Sequence, residues 1–68
     1  MNTRRTGQLA EQAGNLGLPL QVLHSSAGYY IGTFSNGPIS RESVQYWDLE
    51  EEAQQALSDR SWTQRTHV

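Results

Sequence analysis

Cysteine is absent from this 68-residue chain, and so is lysine. Without cysteine the chain forms no disulfide bond and no thiolate metal site. The two histidines, His24 and His67, are too few for a structural zinc site by themselves. No apolar run approaches the roughly 18 residues of a transmembrane helix, and no signal-peptide stretch opens the sequence. We therefore expect a cytoplasmic protein with no metal, no cofactor and no membrane association.

Hydrophobic residues are also scarce, at 35% of the chain. A chain of this length forms one small domain, and its core rarely contributes more than about 3–5 kcal/mol to stability. Disulfides and thiolate metal sites cannot supplement such a core here. Either the core is unusually well packed, or association with another chain completes it.

Negative charge is concentrated in one segment. The net charge is −2, and residues 48–59 contain five acidic residues and no basic one. The five basic residues are all arginine and are scattered along the chain. Nucleic-acid binders usually carry clustered lysine and arginine. A nucleic-acid partner is therefore disfavoured, and a protein partner or a second copy of the chain is favoured.

Three segments have the composition of β-strands. Polar and apolar residues alternate over 20–25, and 29–34 is rich in aromatic and β-branched side chains. Asn36-Gly37 then predicts a hairpin turn, because both residues tolerate positive φ. A third strand is expected over 39–47. Its Ile39 and Val44 are five residues apart, so a bulge or break within 40–43 is needed to return both to the core.

One helix is predicted over 49–58. Asp48 is the expected N-cap, with Glu51 in the reciprocal capping position. The apolar positions of this segment recur at helical spacing and predict one buried stripe. The stripe consists of Leu49, Ala53, Ala56 and Leu57.

Residues 1–17 are predicted to be a flexible segment or a short helix with Leu9, Ala13 and Leu16 on one face, and 18–66 one domain. In the tail, Trp62 alternates with Gln64 and Thr66, which is compatible with a short fourth strand. The fold class is therefore α+β, a three-stranded antiparallel meander with one face covered by a helix.

Aromatic residues supply the candidate binding surface. Tyr29-Tyr30 and Tyr46-Trp47 are adjacent pairs on predicted strands, so each pair sends one ring to either face of the sheet. A single helix covers one face and leaves two large rings on the other. Aromatic and arginine side chains are enriched at interface hot spots. The candidate partner-binding residues are Tyr30, Arg41, Trp47 and Arg65; the alternative is that the N-terminal segment or the tail covers this face.

No pattern of catalytic residues is present. The sequence has no G-x-S-x-G nucleophile turn and no glycine-rich phosphate loop. The three consecutive glutamates, 50–52, point about 100° apart on a helix and do not form a paired acid–base site. We predict no catalytic, cofactor-binding or metal-binding residue.

Residues 24–65 carry a distinctive run, HSSAGYYIGTFSNGPISRESVQYWDLEEEAQQAL, followed by SWTQR. This run resembles a group of small proteobacterial proteins that occur on plasmids, phages and integrated elements. The shared pattern is GYYIGT at 28–33, Gly37-Pro38, SRES at 40–43, Tyr46-Trp47, Glu52-Ala53, Ala56-Leu57 and WTQR at 62–65. The resemblance implies an accessory protein of a mobile element, without a known activity or catalytic residue.

Two weaker similarities rest mainly on the helix. The helix and the strands before it are similar to a small antitoxin fold and to arm-type DNA-binding domains of integrases. From all of these features we expect a non-enzymatic interaction or regulatory module that binds a protein partner or itself through its open sheet face. The alternative is a nucleic-acid-binding module that uses the scattered arginines and exposed aromatic residues.

Overall fold

The computed structural model describes residues 6–15 and 17–66 of the chain. Its elements are α1 (Gln8–Gln12), β1 (Gln21–Ser25), β2 (Gly28–Phe34), β3 (Pro38–Arg41) and α2 (Glu50–Asp59). The strands form an antiparallel sheet in the order β1-β2-β3. The predicted α+β class and the meander are confirmed.

Two turns set the register of the sheet. Between β1 and β2, Ser25 pairs with Gly28, and the Ser25 hydroxyl accepts a 3.2 Å hydrogen bond from the Ala27 N–H. Between β2 and β3, Asn36 has a φ of 59° and Gly37 a φ of 139°. The positive φ values expected of the Asn-Gly turn are therefore present.

The third strand is shorter than predicted, because it ends at Arg41 rather than at 47. Immediately after it, the Glu42 and Ser43 N–H groups both donate to the Ile31 carbonyl, at 2.8 and 3.0 Å. Two residues opposite one are a β-bulge, and this one lies within the predicted interval. A further register shift, between Thr33 and Phe34, lies outside that interval. The predicted consequence of the Glu42-Ser43 bulge is wrong: Ile39 is 36% exposed and Val44 is 52% exposed. The bulge instead turns Glu42 and Ser43 inward, and both are fully buried.

Helix α2 begins one residue later than expected, and its predicted cap is wrong. The N-cap residue is Leu49, in an extended conformation and without a side-chain cap. Backbone hydrogen bonds between Trp47 and Tyr29 hold the chain at the sheet, so the first helical turn forms only beyond Asp48. Of the predicted stripe, Ala53 and Ala56 are buried and Leu57 is half-buried, whereas Leu49 is 53% exposed.

The short N-terminal helix is present as α1. Its Leu9 and Ala10 are 1% and 0% exposed, whereas Ala13 of the predicted face is exposed. Leu16, residues 1–5 and His67 lie outside the described residues.

Both helices lie on one face of the sheet. The start of α1 at Gly7 abuts the Thr33 side chain of β2, and α1 shares a cavity with Leu57 of α2. Helix α2 packs against β1 and β2, and α1 packs against β3. The tail, as far as it is described, contributes one isolated bridge, Ser43 to Gln64, rather than a fourth strand.

The fully buried position of Ala53 predicts that a charge there is not tolerated. Ala53→Asp places an unpaired carboxylate in the core and is expected to cost more than about 3 kcal/mol of unfolding free energy. Gln54→Asp, at the exposed neighbouring position of the same helix, is expected to stay within about 0.5 kcal/mol of the parent. Urea unfolding of both variants measures the difference; equal stability would contradict the placement of α2.

Candidate functional site

The sheet face opposite the helices carries an aromatic cluster with an arginine. The register pairs Leu23 with Tyr30 and Gly32 with Arg41, so these side chains share this open face. Tyr46 lies edge-on to Tyr30, with ring centroids 5.9 Å apart and an interplanar angle of 72°. The guanidinium carbon of Arg41 lies 4.7 Å from the centroid of the Tyr46 ring. We call Tyr30, Arg41 and Tyr46 the Tyr46 cluster.

The rings of the two aromatic pairs differ in their exposure and in the face of the sheet on which they lie. Tyr30 is on the open face, as selected, but it is only 7% exposed, whereas Tyr46 is 41% exposed. Trp47 bridges to Tyr29 and lines a shallow cavity with Glu51 and Ala56, which places it on the helix side. Tyr46, which the sequence analysis did not select, is therefore the accessible ring of the open face.

The two candidate arginines are hydrogen-bonded around the bulge. Arg41 donates from Nη1 to the Ser43 and Val44 carbonyls, at 3.1 Å each. Arg65 donates from Nη1 to the Arg41 carbonyl at 2.9 Å, and its backbone N–H donates to the Glu42 carbonyl. These contacts connect Arg65 to the Tyr46 cluster and brace the irregular backbone.

Exposed large apolar side chains are concentrated near this cluster in sequence. They are Phe34, Ile39, Val44, Tyr46 and Leu49. Between 34 and 47 the charged residues are Arg41 and Glu42, and Glu42 is fully buried. The charge that this stretch presents to solvent is therefore positive.

Behind the sheet, Glu42 is a buried carboxylate that sequence reasoning missed. Oε1 accepts from the Leu9 N–H at 2.9 Å and from Gln64 Nε2 at 2.7 Å. Oε2 accepts from the Ala10 N–H at 3.0 Å and from the Ser40 hydroxyl at 2.6 Å. Because Ser40 donates to Glu42, its hydroxyl accepts from Thr33 Oγ1, 2.6 Å away.

These hydrogen bonds decide the ionisation of Glu42. Burial raises the pKa of its carboxyl group, but the four hydrogen bonds that the carboxylate accepts lower the pKa by more. The pKa of Glu42 therefore lies below its ordinary value, and the buried group is a carboxylate at neutral pH.

The described residues also form a cavity, and they can be searched for metal ligands and for membrane-spanning helices. A cavity of about 520 Å³ lies on the helix side, apart from the Tyr46 cluster. Among residues 6–15 and 17–66, no group of three or more His, Cys, Asp or Glu side chains is placed to hold a metal ion. In the same part of the chain, no helix is long and apolar enough to cross a membrane.

Comparison with known proteins found no matching family model, curated protein or solved structure.

Because Glu42 accepts four buried hydrogen bonds, a small change to its side chain is expected to lower the free energy of unfolding strongly. Glu42→Gln replaces one acceptor oxygen with an NH₂ group that faces hydrogen-bond donors, and we expect a loss of about 2–4 kcal/mol of unfolding free energy. Glu52→Gln makes the same change at an exposed position of α2 and is expected to stay within about 0.5 kcal/mol. Chemical denaturation separates the two; a Glu42→Gln variant as stable as Glu52→Gln would show that the four hydrogen bonds contribute little.

The lowered pKa of Glu42 predicts how stability varies with pH. Its contribution is fully present above the unfolded-state pKa of about 4.3 and is lost as the pH falls through the lower, folded-state pKa. Unfolding free energy should therefore decline on acidification below that unfolded value. A ¹³C NMR titration of the Glu42 carboxyl carbon should give a midpoint below the ordinary pKa of a glutamate side chain. A midpoint above this value would mean that burial outweighs the hydrogen bonds.

Proposed function

We propose that this chain is a non-enzymatic interaction module that binds a protein partner through the open sheet face, centred on Tyr46. The observation that carries the proposal is the Tyr46 ring, which is 41% exposed yet held by Tyr30 at its edge and by Arg41 over its face. A large aromatic side chain fixed before binding loses little conformational entropy on association. Tyrosine and arginine are also the residue types that dominate interface energetics.

The surroundings of Tyr46 favour a partner of particular chemistry. The exposed apolar residues nearest in sequence suit an apolar groove or pocket, and Arg41 suits an acidic group at its rim. A symmetric pairing of two copies through Tyr46 would bring Arg41 towards Arg41 of the second copy. This like-charge approach favours a different protein, apolar with an acidic rim, over self-association.

The buried carboxylate supports a non-enzymatic role. A buried ionisable residue is the usual candidate for catalysis, but both oxygens of Glu42 already accept two hydrogen bonds each. Glu42 is therefore occupied in holding the fold rather than available to a substrate. The nucleic-acid alternative has less support, because the chain carries a net charge of −2 and its five basic residues are scattered arginines. A cytoplasmic accessory role in a mobile element, as the resemblance implies, belongs to the same proposal.

Photo-crosslinking in the source cells tests the proposal. The photoreactive amino acid p-benzoylphenylalanine replaces Tyr46 in one variant and the exposed Gln54 of α2 in a matched control. Position 46 is expected to give a discrete protein adduct that position 54 does not give.

Each other result counts against the proposal. An adduct of two copies of the 7.7 kDa chain would indicate self-association instead. A nuclease-sensitive adduct would indicate the nucleic-acid alternative. Equal labelling at positions 46 and 54 would mean that the open face is not an interface.

A further inference from the structure

The cavity on the helix side is built from four parts of the chain. Gln8 comes from α1, Leu20 from the residue before β1, and Leu57 and Ser58 from α2. The segment after α2 completes the wall with Arg60, Trp62 and Gln64. Its volume of about 520 Å³ lies within the range of about 300–1,000 Å³ that is usual for small-molecule sites.

Among the described residues that line this cavity, Arg60 is the charged one, and it differs from the other described arginines. Arg41 and Arg65 donate to backbone carbonyls, whereas the Arg60 side chain has no hydrogen-bond or ion-pair partner among the described residues. Its guanidinium donors are therefore not used in hydrogen bonds to the described part of the chain. A full unit charge here outweighs the partial negative charge of about one half at the C-terminal end of α2.

The backbone of Arg60 is also strained. It ends α2 in the left-handed conformation, with a φ of 57° and a ψ of 36°, where glycine is the residue that fits without cost. A charged, β-carbon-bearing residue at this position lowers stability. Strain of this kind, next to a cavity and on an unpartnered cation, indicates that the side chain serves a site.

We propose that this cavity binds a small aromatic monocarboxylate, with Arg60 pairing with the carboxylate. Leu20, Leu57 and the Trp62 ring provide apolar walls for a flat ring, and stacking on tryptophan is favourable for aromatic groups. The amides of Gln8 and Gln64 and the Ser58 hydroxyl are the polar groups of the lining. Because Gln64 Nε2 already donates to Glu42 and Arg65, its remaining polar atom is the acceptor Oε1. The site shares no residue with the Tyr46 cluster, so it is independent of the proposed protein interface.

Phenylacetate is the probe, and ¹H–¹⁵N NMR of the full chain is the measurement. The two tryptophans supply an internal comparison, because Trp62 lines the cavity and Trp47 does not. Phenylacetate is expected to shift the Trp62 indole N–H saturably, with a midpoint in the millimolar range or tighter, as about ten non-hydrogen atoms allow. Phenylacetamide, which lacks the charge, and acetate, which lacks the ring, are each expected to bind at least tenfold more weakly.

Two variants separate binding from stability. Arg60→Gly relieves the left-handed strain and is expected to raise the melting temperature by roughly 5 °C while weakening phenylacetate binding at least tenfold. Asn36→Gly removes the same kind of backbone strain at the other non-glycine residue with positive φ in the described part of the chain. Asn36 does not line the cavity, so this variant is expected to leave binding unchanged. No saturable shift of Trp62, equal binding of phenylacetamide, or full binding by Arg60→Gly would each overturn the proposal.

Discussion

The rest of the structure depends on the hydrogen bonds that the buried Glu42 carboxylate accepts. An unpaired buried charge would cost several kcal/mol, and here backbone and side-chain donors from three separate regions offset that cost. The N–H groups of Leu9 and Ala10 come from α1, the hydroxyl of Ser40 from β3, and the amide of Gln64 from the tail. One side chain therefore fixes both α1 and the segment after α2 to the sheet, in a domain whose apolar core is small.

The bulge that turns Glu42 inward also organises the opposite face. It directs the chain after β3 so that Tyr46 returns across the open face, and Arg41 and Arg65 stabilise this path through backbone carbonyls. The polar network on the helix side and the aromatic cluster on the open face are thus two consequences of one irregular strand. Through this connection, the hydrogen bonds around the bulge also hold the backbone that carries the Tyr46 cluster.

Patterns among neighbouring residues predicted much of this fold. The features that were not predicted depend on contacts between residues far apart in the sequence. The Asn36-Gly37 turn and the alanine face of α2 depend on neighbouring residues, and both are present. Three of the four groups that donate to the Glu42 carboxylate lie 22 to 33 residues away, which no spacing rule connects. The choice of Trp47 over Tyr46 for the open face depended on the register of the chain beyond the predicted bulge, which local spacing does not fix.

Native-state hydrogen exchange at the Leu9 and Ala10 amides tests the central claim most directly. If the Glu42 carboxylate holds the start of α1, these two N–H groups should exchange as slowly as the buried Ile31 amide of β2, although they belong to a helix of five residues. Exchange of both at the rates of an unstructured peptide, with Ile31 still protected, would contradict the account.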